Sequence, residues 1–535
     1  MKKQNTIISA AAVLAFMYGA SAILGLVRTR LLAHYFGASE ILGVFYTADR
    51  IPSLIYSLLV VGTLSTVFIP VFTNTFKKNE ENAWHTASSM ITVSILLFLS
   101  LGTLVFILAP SVITALSLGK FTAEQIKLGT SLMRIMLSAQ LLLIISSFVT
   151  VILQSFKYFI ITALAPVLYN IGMILGIVIL IPRYGIYGPA FGVIIGSVLH
   201  LLVQIPLIRK INFSYKFTLD FKDKGLREIF RLMPPRILGA GMAQVSAIVN
   251  NSLAILVSTS SVVIFKFADQ LQSFPVNLFG ASIALAALPT LSYESGEKDK
   301  EKFKEIFLTS FHQMLFLVIP ASVILLVLRI PVVRLVYGVS NFPWEATVQT
   351  SYTLAFFSLS IFAQSSVYLL TRAFYALKDT ATPLKVNFIT VILSSFLSYV
   401  FVHYLGFGVW SVAFSYSIAL LLDMIFLLLL LSKKVGGFKL DSLVVPFTKI
   451  SYAAFFMGIS LYVPMKLLDE FIFDTTKTVN LALLTILATL AGVISYLFFT
   501  KLFKVREIEL LYKLLRKCNL AVPANMPLQQ ELLEE

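Results

Sequence analysis

Arg28 and Arg30 stand two residues apart at the end of an apolar run, and Asp49–Arg50 fall inside a second one. Lys266, Asp269 and Gln270 sit in another, and Asp423 stands alone in "ALLLDMIFLLLLL". A charge at the centre of a bilayer costs about 2.5–3.5 kcal/mol on insertion scales, so such side chains face a bundle interior or a water-filled cavity. The planar fork of arginine grips two phosphate oxygens at once. Arg28, Arg30 and Arg50, gathered in the first two apolar segments, therefore point to an anionic, phosphate-bearing ligand. Snorkelling of Arg28 and Arg30 to lipid head groups is the competing account, weakest for the deeper Arg28. Asp49 and Arg50 partly offset each other, as do Lys266 and Asp269, three apart on one helix. Asp423 reads either as a proton relay or as a carboxyl bonded to a neighbouring helix. Arg134, near the outer end of its segment, is expected to snorkel.

Other chemistry is missing. There is no GxxxxGK[ST], no HExxH and no nucleophile elbow, and His34, His85, His200, His312 and His403 lack ligand spacing. No cofactor and no enzymatic activity are expected. Work must come from an ion gradient (sodium or protons), the membrane potential, or consumption of the transported molecule. The lone Cys518 precludes an intrachain disulfide.

The elements that must position these residues are transmembrane helices. With 58% hydrophobic and 13% charged residues in 535, the chain reads as an all-α polytopic membrane protein. Apolar spans fall near 7–27, 42–73, 87–110, 129–153, 159–182, 188–208 and 236–257, then 261–291, 308–328, 349–373, 384–404, 409–432, 445–465 and 479–500. About 14 transmembrane helices put both termini on one side. The opening "MKKQNTIISAAAVLAFMYGASA" resembles a signal peptide, but its apolar run reaches Val27, the length of a retained span. Alternate loops and the tail carry about 30 Lys/Arg against about 9 in the loops between, which makes both termini cytoplasmic. The net charge of +16 is thus mostly topological, and no nucleic-acid partner is expected. Arg28 and Arg30 then lie in the outer half of the membrane.

The chain also repeats itself. "FYTADRIPS" (45–53) resembles "FKFADQLQS" (265–273), "APVLYN" (165–170) resembles "TPLKVN" (382–387), and "GIYGPAFG" (185–192) resembles "GVWSVAFS" (408–415). The offsets stay close to about 220 residues, the mark of duplication. Two pseudo-symmetric six-helix lobes follow, 1–208 and 236–434, with substrate between them and access alternating as they rock. A basic, aromatic-rich linker, 209–235, is expected on the anionic inner leaflet. Two further helices occupy 435–501, and a basic amphipathic tail, 502–535, completes the chain.

"SAILGLVRTRLLAHYFG", "DRIPSLIYSLLVVGTLSTVFIPVF", "RLMPPRILGAGMAQVSAIVNNSLA", "FADQLQSFPVNLFGASIALAALPTLS" and "RAFYALKDTATPLK" resemble, in order, signatures of the MurJ (MviN) family. These are bacterial lipid II flippases of the multidrug/oligosaccharidyl-lipid/polysaccharide exporter superfamily. The resemblance implies fourteen helices, the last two forming a groove for the lipid tail. It also implies flipping of lipid II across the bacterial cytoplasmic membrane for cell wall synthesis. Lipid II or a related polyprenyl-diphosphate glycolipid, anionic lipids and cell-wall synthesis proteins would be the partners. The substrate-facing set is then Arg28, Arg30, Arg50, Asp49, Asp269 and Gln270, with Asn250 and Asp379 as ion-site candidates. Ala22 and Thr29 stand where the family carries arginine and aspartate in the first helix. Tyr56, Ser57 and Val61 replace an arginine pair and a glutamate, and Gln270 replaces an arginine. A flippase for another polyprenyl-diphosphate glycan, a multidrug/cation antiporter of the same superfamily and a non-transporting scaffold remain alternatives.

Overall fold

Runs of leucine, isoleucine, valine and phenylalanine too long for a soluble core leave helices as the way to satisfy every backbone group in lipid. The computed structural model describes residues 7–61, 67–211, 213, 215–296 and 300–508, and among these no strand occurs. The chain begins with α1 (Ile7–Phe36), α2 (Glu40–Ala48), α3 (Arg50–Tyr56), α4 (Ile69–Lys78), α5 (Glu80–Ile107) and α6 (Ala109–Leu116). It continues through α7 (Ala123–Ser155), α8 (Phe159–Leu175), α9 (Ile181–Tyr184), α10 (Tyr187–Leu202), α11 (Ile205–Lys210) and α12 (Lys224–Leu232). Then come α13 (Pro234–Val257), α14 (Ser261–Pro275), α15 (Ser282–Glu294), α16 (Glu301–Val327), α17 (Arg329–Tyr337) and α18 (Trp344–Ser358). Five more follow: α19 (Ile361–Ala376), α20 (Ala381–Tyr399), α21 (Trp410–Lys434), α22 (Leu440–Phe471) and α23 (Thr478–Leu502).

Among the described residues eleven helices are long and apolar enough to cross a membrane, or twelve when the bent pair α18–α19 counts as one span. The expected fourteen exceeds this by two segments, 7–27 and 42–73. Residues 62–66 of the second lie outside the described residues, as do Cys518 and the expected tail helix beyond Ile508.

The duplication is written in the elements. α5, α6 and α7 recur as α16, α17 and the α18–α19 pair, and α8 and α10 recur as α20 and α21, each about 220 residues on. Even the irregular turns repeat. π-helical segments at Ser57–Val61 and Gly176–Leu180 have counterparts at Val276–Ala281 and Val400–Tyr404. Such turns cluster at functional sites.

The contacts divide the chain into two compact units. One holds residues 1–271, 332–357 and 380–423. Within it α8 packs between α1 and α10, α7 backs α2, α5 and α10, and α13 lies on α20 and α3. The α8–α10 contact is backbone to backbone: a Cβ on Gly172 would meet the Gly196 main chain. Gly37 ends α1 with φ +58°, close against the main chain of Asn341. The second unit holds 272–331, 358–379 and 424–535, with α22 paired to α23 and packed on α16. Tyr496 donates there to the Phe316 carbonyl at 2.7 Å.

The linker is strapped to α5 through hydroxyls. Thr92 meets the Tyr215 hydroxyl at 2.8 Å, Ser89 meets Thr218 at 3.0 Å, and Thr86 donates to Asp223 at 2.9 Å. Its outward face carries exposed Phe217, Leu219 and Phe221. Pro234 and Pro235 end the strap and start α13, where their missing N–H groups cost nothing.

Candidate functional site

Every side chain of the basic cluster belongs to the first unit. Arg28 projects from α1, and its Nη1 donates to Asn170 Oδ1 on α8 at 3.2 Å and lies 3.2 Å from Met173 Sδ. Asn170 is in turn fixed, donating through Nδ2 to Ser21 Oγ at 3.0 Å and to the Pro166 carbonyl at 3.1 Å. Arg50 opens α3, and its Nε donates to Asn251 Oδ1 at 3.1 Å. Asn251, 1% exposed on α13, donates to Thr47 at 3.0 Å. A neutral amide held by further bonds therefore aims each guanidinium. Neither arginine is consumed by a short carboxylate pair among the described residues.

Asp49 sits at the α2–α3 break and accepts from Ser53 at 2.9 Å. Lys266 and Asp269 pair at 3.8 Å on α14, each side chain about one-third exposed. These groups feel one another: Asp49 interacts with Arg50, Lys266 and Arg28, and Asp269 with Arg50 and Lys266. By formal charge, three cations meet two carboxylates. Tyr46 and Tyr169 line the same cluster and interact with Arg28. An anionic head group entering it would find charge, forked donors and amphipathic rings.

Arg30 is placed elsewhere. Its Nη1 caps the end of α17, donating to the carbonyls of Leu335 and Val336, the favoured location for a cation at a helix C-terminus. Asn341 Nδ2 adds a bond to the His34 carbonyl at 2.7 Å. Gln270 is not a direct neighbour of the arginines by hydrogen bond. It accepts from Thr29 at 2.8 Å, and Thr29 is 1% exposed. The resembling family carries aspartate at Thr29 and arginine at Gln270, so these two departures, among several, meet in space as one neutral pair. Tyr56 likewise bonds Ser147 at 2.9 Å, and Ser57 accepts from Gln244 at 3.0 Å.

Asn250 is buried on α13 beside Asn251. Asp379 belongs to the second unit, where Lys434 Nζ lies 2.5 Å from its carboxylate. Among the described residues no group of three or more His, Cys, Asp or Glu could hold a metal ion. Sequence reasoning missed Asn170 and Asn251. Asparagine within apolar runs was the available signal.

Fold and site together define a polytopic helical transporter, internally duplicated, with a net basic polar cluster built on α1, α3 and α14. The family described as "Lipid II flippase MurJ" matches residues 32–480. The chain belongs to that family. It is 29% identical over 502 residues to the "Probable lipid II flippase MurJ" of Buchnera aphidicola subsp. Acyrthosiphon pisum, covering 92% of this chain and 96% of that protein. The "Lipid II flippase MurJ" of Burkholderia cenocepacia is 27% identical, covering 72% and 76%. A solved "Lipid II flippase MurJ, inward closed conformation" superposes with TM-score 0.78 at 25% identity, covering 93% of this chain and all of that one. An inward-facing multidrug resistance MATE transporter gives TM-score 0.67 at 17% identity over 78% of this chain and 94% of its own, a likeness of fold alone.

Proposed function

We propose that this chain moves lipid II, the lipid-linked peptidoglycan precursor, from the inner to the outer leaflet of the bacterial cytoplasmic membrane. The observation that carries the reading is the cluster of Arg28, Arg50 and Lys266 with Asp49 and Asp269, formally net positive, whose two arginines are aimed by the amides of Asn170 and Asn251. A diphosphate presents oxygens that suit both forks, and desolvation inside the bundle strengthens each contact. The lobes, 1–208 and 236–434, exchange the side on which the cluster meets water. Both termini are cytoplasmic, and residues 435–501 accommodate the lipid tail. The cluster's net charge argues against a cation antiporter, which wants surplus carboxylates. Transport draws on a gradient or on downstream consumption of the product, with no cofactor.

Complementation tests this. A host depleted of its own lipid II flippase receives this chain, and lipid II at the outer leaflet is assayed. Rescue that Arg28→Ala loses supports substrate and site together. A correctly inserted chain that leaves lipid II inside sinks the lipid II reading. In that event the Thr29–Gln270 neutral pair favours another polyprenyl-diphosphate glycan as substrate, since it removes two family charges.

A further inference from the structure

Asp423 lies midway along α21 and is 1% exposed. Neither of its carboxylate oxygens receives a hydrogen bond from a described residue. Thr390 on α20 stands beside it, but gives its own proton to the Val386 carbonyl at 3.0 Å. A threonine hydroxyl has one proton and two lone pairs, so Thr390 can still accept. Ser394 and Ser398 continue the same stripe of α20 at intervals of four, both buried and both with hydroxyls that make no bond. An ionised carboxylate accepts only, so it gains the Thr390 proton only if that hydroxyl gives up its bond to Val386, whereas a protonated one donates to the open lone pair of Thr390 and leaves that bond in place.

Charge compensation is also missing. The titratable groups on the surrounding elements are Lys385 and Tyr399 on α20, Glu345 and Tyr352 on α18, and Tyr416, Lys433 and Lys434 on α21. α18 is held to α21 by the bond from Ser417 to the Phe356 carbonyl at 2.8 Å. α13, which packs on α20, carries none from Ile237 to Val257. Among the described residues no ion pair includes the Asp423 carboxyl. A buried charge without a charged partner is far costlier than the neutral acid.

We propose that Asp423 and the hydroxyl stripe of α20 form a proton-binding site, separate from the basic cluster, whose loading and unloading tie the transport cycle to the proton gradient. The proton comes from water that reaches Asp423 when α20 and α21 part and returns to water on the other side, leaving carboxylate only while solvated. The coupling rests on the lipid-export reading above; the site itself does not.

Infrared spectra of the full-length protein in bilayers test the site. A protonated-carboxyl band is expected at neutral pH, lost in Asp423→Asn and shifted in Thr390→Val, where the acceptor is removed. A spectrum that Asp423→Asn leaves unchanged, or a band that responds to sodium and not to pH, overturns the proposal. Should Asp423→Asn fail to insert, Asp423→Glu decides: a shifted band supports the site and an unchanged one overturns it. In proteoliposomes carrying labelled lipid II, an imposed pH gradient is expected to change the wild-type rate, and Asp423→Asn to lose that dependence. Gradient dependence retained in Asp423→Asn overturns the coupling. A wild-type chain that shows the band yet moves no lipid supports the site and overturns the export reading.

Discussion

Arg28 and Arg134 are both arginines within apolar helices, yet their surroundings assign them different work. Arg28 is held by the amide of Asn170, whereas Arg134 donates to the Phe106 carbonyl at 3.1 Å and lies over that ring at 4.7 Å. Arg28→Ala is expected to weaken head-group binding by about 1.5–3 kcal/mol, roughly ten- to hundredfold, and to abolish rescue. Arg134→Ala should leave rescue nearly intact; equal loss in both would show that the cluster has no special role. Thr29 and Gln270 permit a sharper test. Thr29→Asp or Gln270→Arg alone buries an unpaired charge and should destabilise by about 3–5 kcal/mol, while the double substitution restores much of it. Thermal unfolding in detergent reads the cycle, and additive effects would mean the two side chains are not partners in the membrane.

Helices α8 and α10 approach closely because glycines replace side chains along the seam. Lipid offers no hydrophobic drive for helix association, so van der Waals contact between backbones must supply it. A leucine at Gly196 would meet the Tyr169 main chain and push α8 outward, carrying Asn170 with it. Gly196→Leu is therefore expected to cost about 1–3 kcal/mol and to lower transport beyond what the stability loss explains. Transport measured at matched amounts of folded protein separates the two effects. Unchanged transport would place the hold on Arg28 elsewhere.

At the scale of the whole molecule, the proposed rocking of the lobes requires the contact at the end of α1 to part. Arg30 caps the end of α17, and Asn341 bonds the His34 carbonyl, so the end of α1 is tied to the segment after α17. Cysteines at His34 and Asn341, in a Cys518→Ser background, should cross-link readily. The cross-linked protein is expected to stop moving lipid and to recover on reduction. Transport at the wild-type rate with the link intact would mean that this contact never parts.

Composition and hydropathy alone established the all-helical membrane class, because lipid leaves the backbone few other solutions. The six-helix repeat was legible too, since duplicated segments kept their spacing down to the π-helical turns. Arg28 and Arg50 stood out in the sequence because a charge within an apolar run is costly, but the amides that hold them, Asn170 and Asn251, did not. Partnership was not legible. Thr29 and Gln270 are 241 residues apart, and a sequence read one residue at a time shows two lost charges where the fold shows one substituted pair. By sequence Arg30 groups with Arg28 in one cluster, but two residues along a helix turn a side chain to a different face, and only tertiary packing put α17 carbonyls there. The sequence determined which groups are expensive to bury; the tertiary structure decided who meets whom, because hydrogen bonds reach about 3 Å and depend on folds, not on spacing.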